Sequence, residues 1–279
     1  KLFNKPKCGL LNFISFCFSQ ISSKIYFSFE GQIMILQSDF IDLDTPTGVM
    51  RTYVHKPTEP GRYPAILFYS EIFQQTGPIE RAAKIIASHG YTVLVPEVFH
   101  EHNPIGTILE YDDAGRDKGN ADKSAKNVEG YDSDNQSMVD WIKKQEWFNG
   151  HIGAMGFCIG GHLAFRAALN PAVRSTACFY ATDLHTSTIP NEPKQHSMER
   201  LKDIKGELLM IWGKHDTHIP SAARMEIHKK LLDSDIVFSW HEFNGQHAFM
   251  RDEGDRYDAE LASLGYQISL RMFSRTLFS

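Results

Sequence analysis

The sequence predicts an α/β fold, a mostly parallel sheet with helices on both faces, and three observations predict it. Short apolar runs bounded by turn residues alternate with longer segments of helical pattern along most of the 279 residues. Several of those runs are apolar at nearly every position, as strands covered on both faces must be. Between one such run, His151 to Met155, and an alanine-rich stretch, His162 to Leu169, stands Gly156-Phe157-Cys158-Ile159-Gly160-Gly161. That junction reads as a sharp strand-to-helix turn. Glycines two residues before and two after the cysteine leave room that neighbouring Cβ atoms would fill.

The elements follow in order. Ile35 to Leu43 and Val49 to His55 suit two antiparallel strands around the turn Asp44-Thr45-Pro46-Thr47-Gly48. Pro64 to Tyr69 is a short apolar run, as expected of a buried parallel strand. Pro78 to His89 reads as a helix with proline in its first turn and Gly90 after its end. Tyr91 to Val95 is the next strand, followed by a polar excursion from Phe99 to about Lys126 and a helix through Val139, Trp141 and Ile142. His151 to Met155 leads into the cysteine turn, and Val173 to Tyr180, Leu208 to Trp212 and Ile236 to Phe243 are later strands. A last helix carries Leu261, Leu264, Ile268 and Met272 at helical spacing. No repeat or linker interrupts this pattern, so residues 34–279 are expected to form one domain.

Residues 1–33 differ from the rest. Residues 1–29 hold four lysines and no acidic side chain, with an apolar stretch from Gly9 to Phe18. This is compatible with an extension outside the fold, a targeting segment or a further structural element, and the run is too short to span a bilayer. The formal charge of −5 and pI of about 6.2 give no footprint for nucleic acid or an anionic membrane. Cys8, Cys17, Cys158 and Cys178 lack metal-ligand spacing, which fits a reduced, cytoplasmic setting.

The chemistry centres on Cys158. Its surroundings match the nucleophile elbow Gly-x-Ser-x-Gly with cysteine in place of serine. A thiol so placed needs a base, and the base an orienting acid. On such folds the acid and the histidine follow the nucleophile on loops after later strands. Asp216 stands just past the run Leu208 to Trp212, and His247 just past the run that ends at Phe243. Each residue also has an ordinary reading. Cys158 could be inert in a packing turn, Asp216 could cap a loop, and among 13 histidines His215, His218 and His241 lie nearby. His247 is preferred for its Gly-Gln-His context on a loop after a strand. Cys178, inside an apolar strand, reads as a small hydrophobe.

From about Met34 to the C-terminus the chain resembles the dienelactone hydrolases (carboxymethylenebutenolidases), α/β-hydrolases with a cysteine nucleophile. The motifs that carry the likeness are Ser70-Glu71-Ile72-Phe73, Arg81, Gly156-Phe157-Cys158-Ile159-Gly160-Gly161, Gly213-Lys214-His215-Asp216 and Gly245-Gln246-His247-Ala248-Phe249-Met250-Arg251. The resemblance implies Cys158 as the acylated nucleophile, His247 as base and acid, and Asp216 as its orienter. It implies that Glu71 helps to deprotonate the thiol and that the N–H groups of Ile72 and Ile159 hold an oxyanion. Arg81 and Arg251 would bind a substrate carboxylate, although each could instead make a surface ion pair. Phe99 and Tyr180 are expected to contact substrate. Pro96-Glu97-Val98-Phe99 stands where the family often has Pro-Asp-Leu-Tyr, so Phe99 brings no hydroxyl.

The expectation is an enzyme that opens a small ester or lactone through a thioester, with no metal or organic cofactor, working as a monomer or weak homodimer. A thioesterase or carboxylesterase on the same scaffold is the first alternative. A non-catalytic ligand-binding or redox-sensing protein is the second. The excursion His100 to Lys126 and the segment Thr182 to Arg200 are expected to wall the pocket.

Overall fold

The computed structural model describes residues 34–190 and 195–279. The readings of residues 1–33, with Cys8 and Cys17, concern residues outside that range. Strand β1 (Leu36–Thr45) pairs antiparallel with β2 (Gly48–Pro57), and the hairpin turns at Pro46-Thr47. β3 (Tyr63–Tyr69) and β4 (Thr92–Pro96) are buried at nearly every position, so both of their faces are covered and an unbroken apolar sequence is required. Helix α1 (Gly77–Ala87) joins them, with Pro78 in its first turn and Ile79, Ala82, Ala83 and Ile86 buried along one stripe.

β5 (Phe148–Phe157), β6 (Val173–Phe179), β7 (Glu207–Gly213) and β8 (Phe238–Phe243) complete the sheet. Its order is β1-β2-β4-β3-β5-β6-β7-β8. β2 runs antiparallel to both of its neighbours, and every pair from β4 to β8 is parallel. The carboxyl ends of β3, β5, β6, β7 and β8 therefore open on one edge, where ligands of open α/β sheets bind. Helix α4 (Ile159–Ala167) follows β5 and is buried at every position between β5, β6 and β3. Met34–Ser279 forms a single compact unit. No helix among the described residues is long and apolar enough to cross a membrane.

Three elements depart from the sequence reading. The polar excursion contains a helix, α2 (Asp113–Ala125), started by Asp112, whose side chain accepts the Gly115 N–H, before α3 (Val128–Ile142) begins. α2 buries only Gly115, Gly119 and Asp122, so it has no apolar stripe to read. A second unread helix, α5 (Ser221–Leu232), leaves Met225 and Leu232 exposed. The last helix, α6 (Ala259–Leu277), buries Ala262, Gly265, Ser269, Met272 and Phe273, while Leu264 is exposed. The first half of its inner face is built of small residues because Phe179 and Met250 lie against Gly265.

Candidate active site

The elbow is steric in origin. Cys158 holds φ 60° and ψ −123°, between β5 and the first turn of α4. A Cβ at Gly156 would stand 1.9 Å from the Gly160 carbonyl oxygen, and one at Gly160 would stand 2.2 Å from that of Tyr69. Both glycines are therefore required by backbone approach, and the strained cysteine between them is lifted to the sheet's edge. Its N–H donates to Phe179 O at 3.2 Å, and its own carbonyl accepts from Gly161 at 3.0 Å.

Asp216 and His247 meet at that edge. His247 Nδ1 donates to Asp216 Oδ2 at 2.7 Å, and both side chains are buried. Asp216 Oδ1 also accepts the N–H groups of His218 and Ile219, at 2.8 and 3.3 Å. Its turn-capping role and its bond to histidine thus coexist on its two oxygens. Burial alone would raise the Asp216 carboxyl, but the His247 hydrogen bond and charge hold it below the usual carboxylate range. For His247, burial opposes protonation. The negative charge of a Cys158 thiolate and the bond to Asp216 outweigh it and push the imidazole up to about 10. His218 lies against His247 with ring centroids 4.5 Å apart and planes tilted by 55°, and His215 turns away to Asn244.

A cleft of about 360 Å³ opens above these groups, lined by Cys158, His247, Glu71, Ile72 and Arg251 among others. The loop after β3 supplies Glu71 and Ile72. Burial raises the Glu71 carboxyl, and Arg251, with Nη1 3.6 Å from Oε2, pulls it only partly back. The Arg251 guanidinium lies over the Tyr111 ring at 4.3 Å. Ile159 is the first residue of α4, with its N–H at the positive end of the helix. Among the described residues, neither the Ile72 nor the Ile159 N–H finds a backbone acceptor.

Three residues expected to touch substrate do not line the cleft. Arg81 is on the outer face of α1, its guanidinium bound to Asp252 at 2.7 Å through both oxygens and to Glu253 at 2.6 Å. Phe99 is fully buried in the core. Tyr180 is also buried, its ring 5.0 Å from that of His247, so it supports the histidine from below. The excursion and the segment after β6 wall the cleft as expected, with side chains that the sequence did not single out, and Arg256 lies outside both segments. α2 brings Arg116, Asn120 and Lys123, the loop after β6 brings Thr182 and Asp183, and the loop before α6 brings Arg256. Lys123 pairs with Asp183 at 3.0 Å. Arg256 makes no ion pair among the described residues, and its charge reaches Glu71 and His218. The one sequence signal for these was the abundance of charge in the excursion.

One cluster has donors suited to a metal. His100, Glu101 and Asp134 bring ligand atoms within 4.8 Å of one another, away from the cleft. The Lys126 ammonium lies among them, 2.7 Å from Glu101 and bonded to Asp134, and takes the place of a cation.

An eight-stranded, mostly parallel sheet with a strained residue at the β5–α4 elbow, and an acid and a histidine after β7 and β8, defines the α/β-hydrolase fold class. Residues 50–277 match the model of the Dienelactone hydrolase family, and the chain belongs to that family of carboxylic ester hydrolases. It is 37% identical over 257 residues to a Saccharomyces cerevisiae protein provisionally named carboxymethylenebutenolidase, a match covering 88% of this chain and 93% of that one. It is 24% identical over 203 residues to the carboxymethylenebutenolidase of Pseudomonas putida, covering 72% and 81%. A crystal structure provisionally named dienelactone hydrolase from Klebsiella pneumoniae subsp. pneumoniae superposes with a TM-score of 0.73 at 19% identity, over 86% of this chain and 99% of that one.

Proposed function

We propose that the protein hydrolyses a small ester or lactone through a cysteine-linked acyl-enzyme, with Cys158 as nucleophile, His247 as proton carrier and Asp216 as its orienter. The observation that carries this reading is the strained Cys158 sharing one cleft with a His247 already bonded to a buried Asp216. A protonated His247 beside the sulfur would stabilise the thiolate, which is the attacking form.

The thiolate adds to the carbonyl carbon, and the carbonyl electron pair moves to oxygen. The N–H groups of Ile72 and Ile159 are the donors that would hold that oxyanion. Collapse forms the thioester and breaks the acyl–oxygen bond, and the alkoxide or enolate takes the proton from His247. Water then adds to the thioester while neutral His247 accepts its proton, and the thiolate leaves as the carboxylic acid forms. Asp216 keeps Nδ1 protonated, so Nε2 is the nitrogen that exchanges the proton. In a lactone both fragments stay joined, so the freed oxygen remains in the cleft during the second step.

Glu71 is suited to a role near the thiol because its carboxyl is buried and raised. The anion-binding role expected of Arg81 and Arg251 falls to Arg251 and Arg256, since Arg81 is neutralised outside the cleft. Hydrolysis of cis- and trans-dienelactone and of p-nitrophenyl acetate, with Cys158→Ser and His247→Ala as controls, tests the reading. We expect each substitution to lower kcat by about 10³-fold or more. Turnover that survives both unchanged would remove the assignment.

A further inference from the structure

Oxyanion binding needs the Ile72 N–H in one place, yet the turn that carries it has little to hold it from within. Its own bonds are Gln74 N–H to Glu71 O at 3.1 Å and Thr76 N–H to Gln74 O at 2.9 Å. Gln74 in its middle has φ 65°, a conformation that a non-glycine residue keeps only when its surroundings impose it.

Those surroundings are the segment that sequence reasoning left as a polar excursion. Leu109 N–H donates to Phe73 O at 3.1 Å, and Gln74 Nε2 donates to Thr107 O at 3.1 Å. The Tyr111 hydroxyl is 2.6 Å from Thr76 Oγ1, and its ring meets that of Phe73 edge-on at 4.7 Å. α2 then lies directly on the turn. A Cβ at Gly119 would stand 2.6 Å from the Ile72 carbonyl oxygen and 2.9 Å from the Ile72 Cβ. Only glycine lets the helix approach so closely, and any larger residue must push helix and peptide apart by a few tenths of an ångström or more. α2 is otherwise polar, so its contact with the turn is not explained by burial of an apolar face.

We infer that α2 and the strand of chain before it form the buttress that fixes the Ile72 peptide for oxyanion binding, with Gly119 and Tyr111 as positioning residues. The inference rests on the acyl-enzyme reading proposed above. It separates the wall of the cleft into two functions: Lys123 and Arg116 face the ligand, whereas Gly119 faces the machinery.

The test compares Gly119→Ala and Tyr111→Phe with wild type, using Ser124→Ala, an exposed change on the same helix, as control. Two rates are read: kcat and KM for p-nitrophenyl acetate, and alkylation of Cys158 by iodoacetamide, a reaction that forms no oxyanion. A misplaced donor lowers kcat by about 10-fold or more in Gly119→Ala. Loss of one hydrogen bond lowers it by about fivefold in Tyr111→Phe. KM and alkylation should stay within about twofold of wild type, and Ser124→Ala should match wild type throughout, the pattern of a group that acts on the transition state alone. Unchanged kcat in both variants overturns the inference, as does an equal fall of kcat and alkylation. If circular dichroism shows Gly119→Ala unfolded, Tyr111→Phe decides by the same criteria. A wild type whose Cys158 is never acylated would instead remove the underlying reading, so the two failures are distinct.

Discussion

Gly160 and Cys158 show how little freedom the elbow leaves. A methyl group at 160 would meet two backbone carbonyl oxygens, those of Tyr69 at 2.2 Å and Ser70 at 2.4 Å, and neither belongs to a side chain that could swing away. Gly160→Ala should therefore cost about 3 kcal/mol or more in urea unfolding. Gly106→Ala, at φ +84° with nothing within 4 Å, should cost only the left-handed strain, about 1–2 kcal/mol. His247 gives a second prediction. The negative charge Cys158 carries as a thiolate would be the strongest influence raising the His247 pKa to about 10, so NMR titration of Cys158→Ala should find His247 releasing its proton at lower pH than in wild type. Because the folded value lies above the unfolded value of about 6.5, the stability this proton adds is full below that pH and lost as pH rises through about 10. The urea midpoints of wild type and His247→Gln should draw together over that interval.

At the level of elements, the Lys126 cluster ties the junction of α2 and α3 to the turn after β4. Lys126 is fully buried against Glu101 and Asp134, and its ammonium faces the Tyr131 ring at 5.0 Å. Lys126→Met would leave the buried Asp134 carboxylate without its cation and should destabilise by about 3 kcal/mol. Lys229→Met, removing an exposed pair with Asp233 on α5, should cost about 1 kcal/mol or less. Urea denaturation of both variants checks the contrast. These elements also mark where sequence reading stops. The parallel strands were legible because burial on both faces forces continuous apolar runs, and the meeting of Cys158, Asp216 and His247 at one cleft because loops after parallel strand ends gather on one edge. α2 was not legible, because its buried residues are two glycines and an aspartate, and glycines ordinarily argue against a helix. Arg81 shows a related limit, because the sequence left open a ligand contact and a surface ion pair. Its place on α1 suited a ligand contact, but Asp252 and Glu253, distant in sequence, claim its guanidinium.

Across the whole molecule, strain and chemistry share one edge of the sheet. The six non-glycine residues with positive φ among those described are Gln74, Cys158, Tyr180, Asp183, Ser187 and Ala248, and all lie on loops after β3, β5, β6 or β8. The rigid interior sets those loops, and the cleft they enclose gathers Cys158, His247, Glu71 and the arginines 251 and 256. Lys123 is paired with Asp183, Arg251 lies 3.6 Å from the raised Glu71 carboxyl, and Arg256 makes no ion pair among the described residues, so in the proposed function the two arginines meet an anionic ligand and Arg256 does so least opposed. Arg256→Ala should thus raise KM for dienelactone several-fold more than KM for uncharged p-nitrophenyl acetate, as paired steady-state assays would show. Acylation of Cys158 is the step on which the proposed function turns. Intact-protein mass spectrometry after brief exposure to p-nitrophenyl acetate, followed by peptide mapping, tests it most directly. A single acetyl adduct is expected on Cys158, decaying with turnover and absent from Cys158→Ala. Turnover without any adduct, even in His247→Ala quenched within milliseconds, or an adduct on another residue, would contradict it.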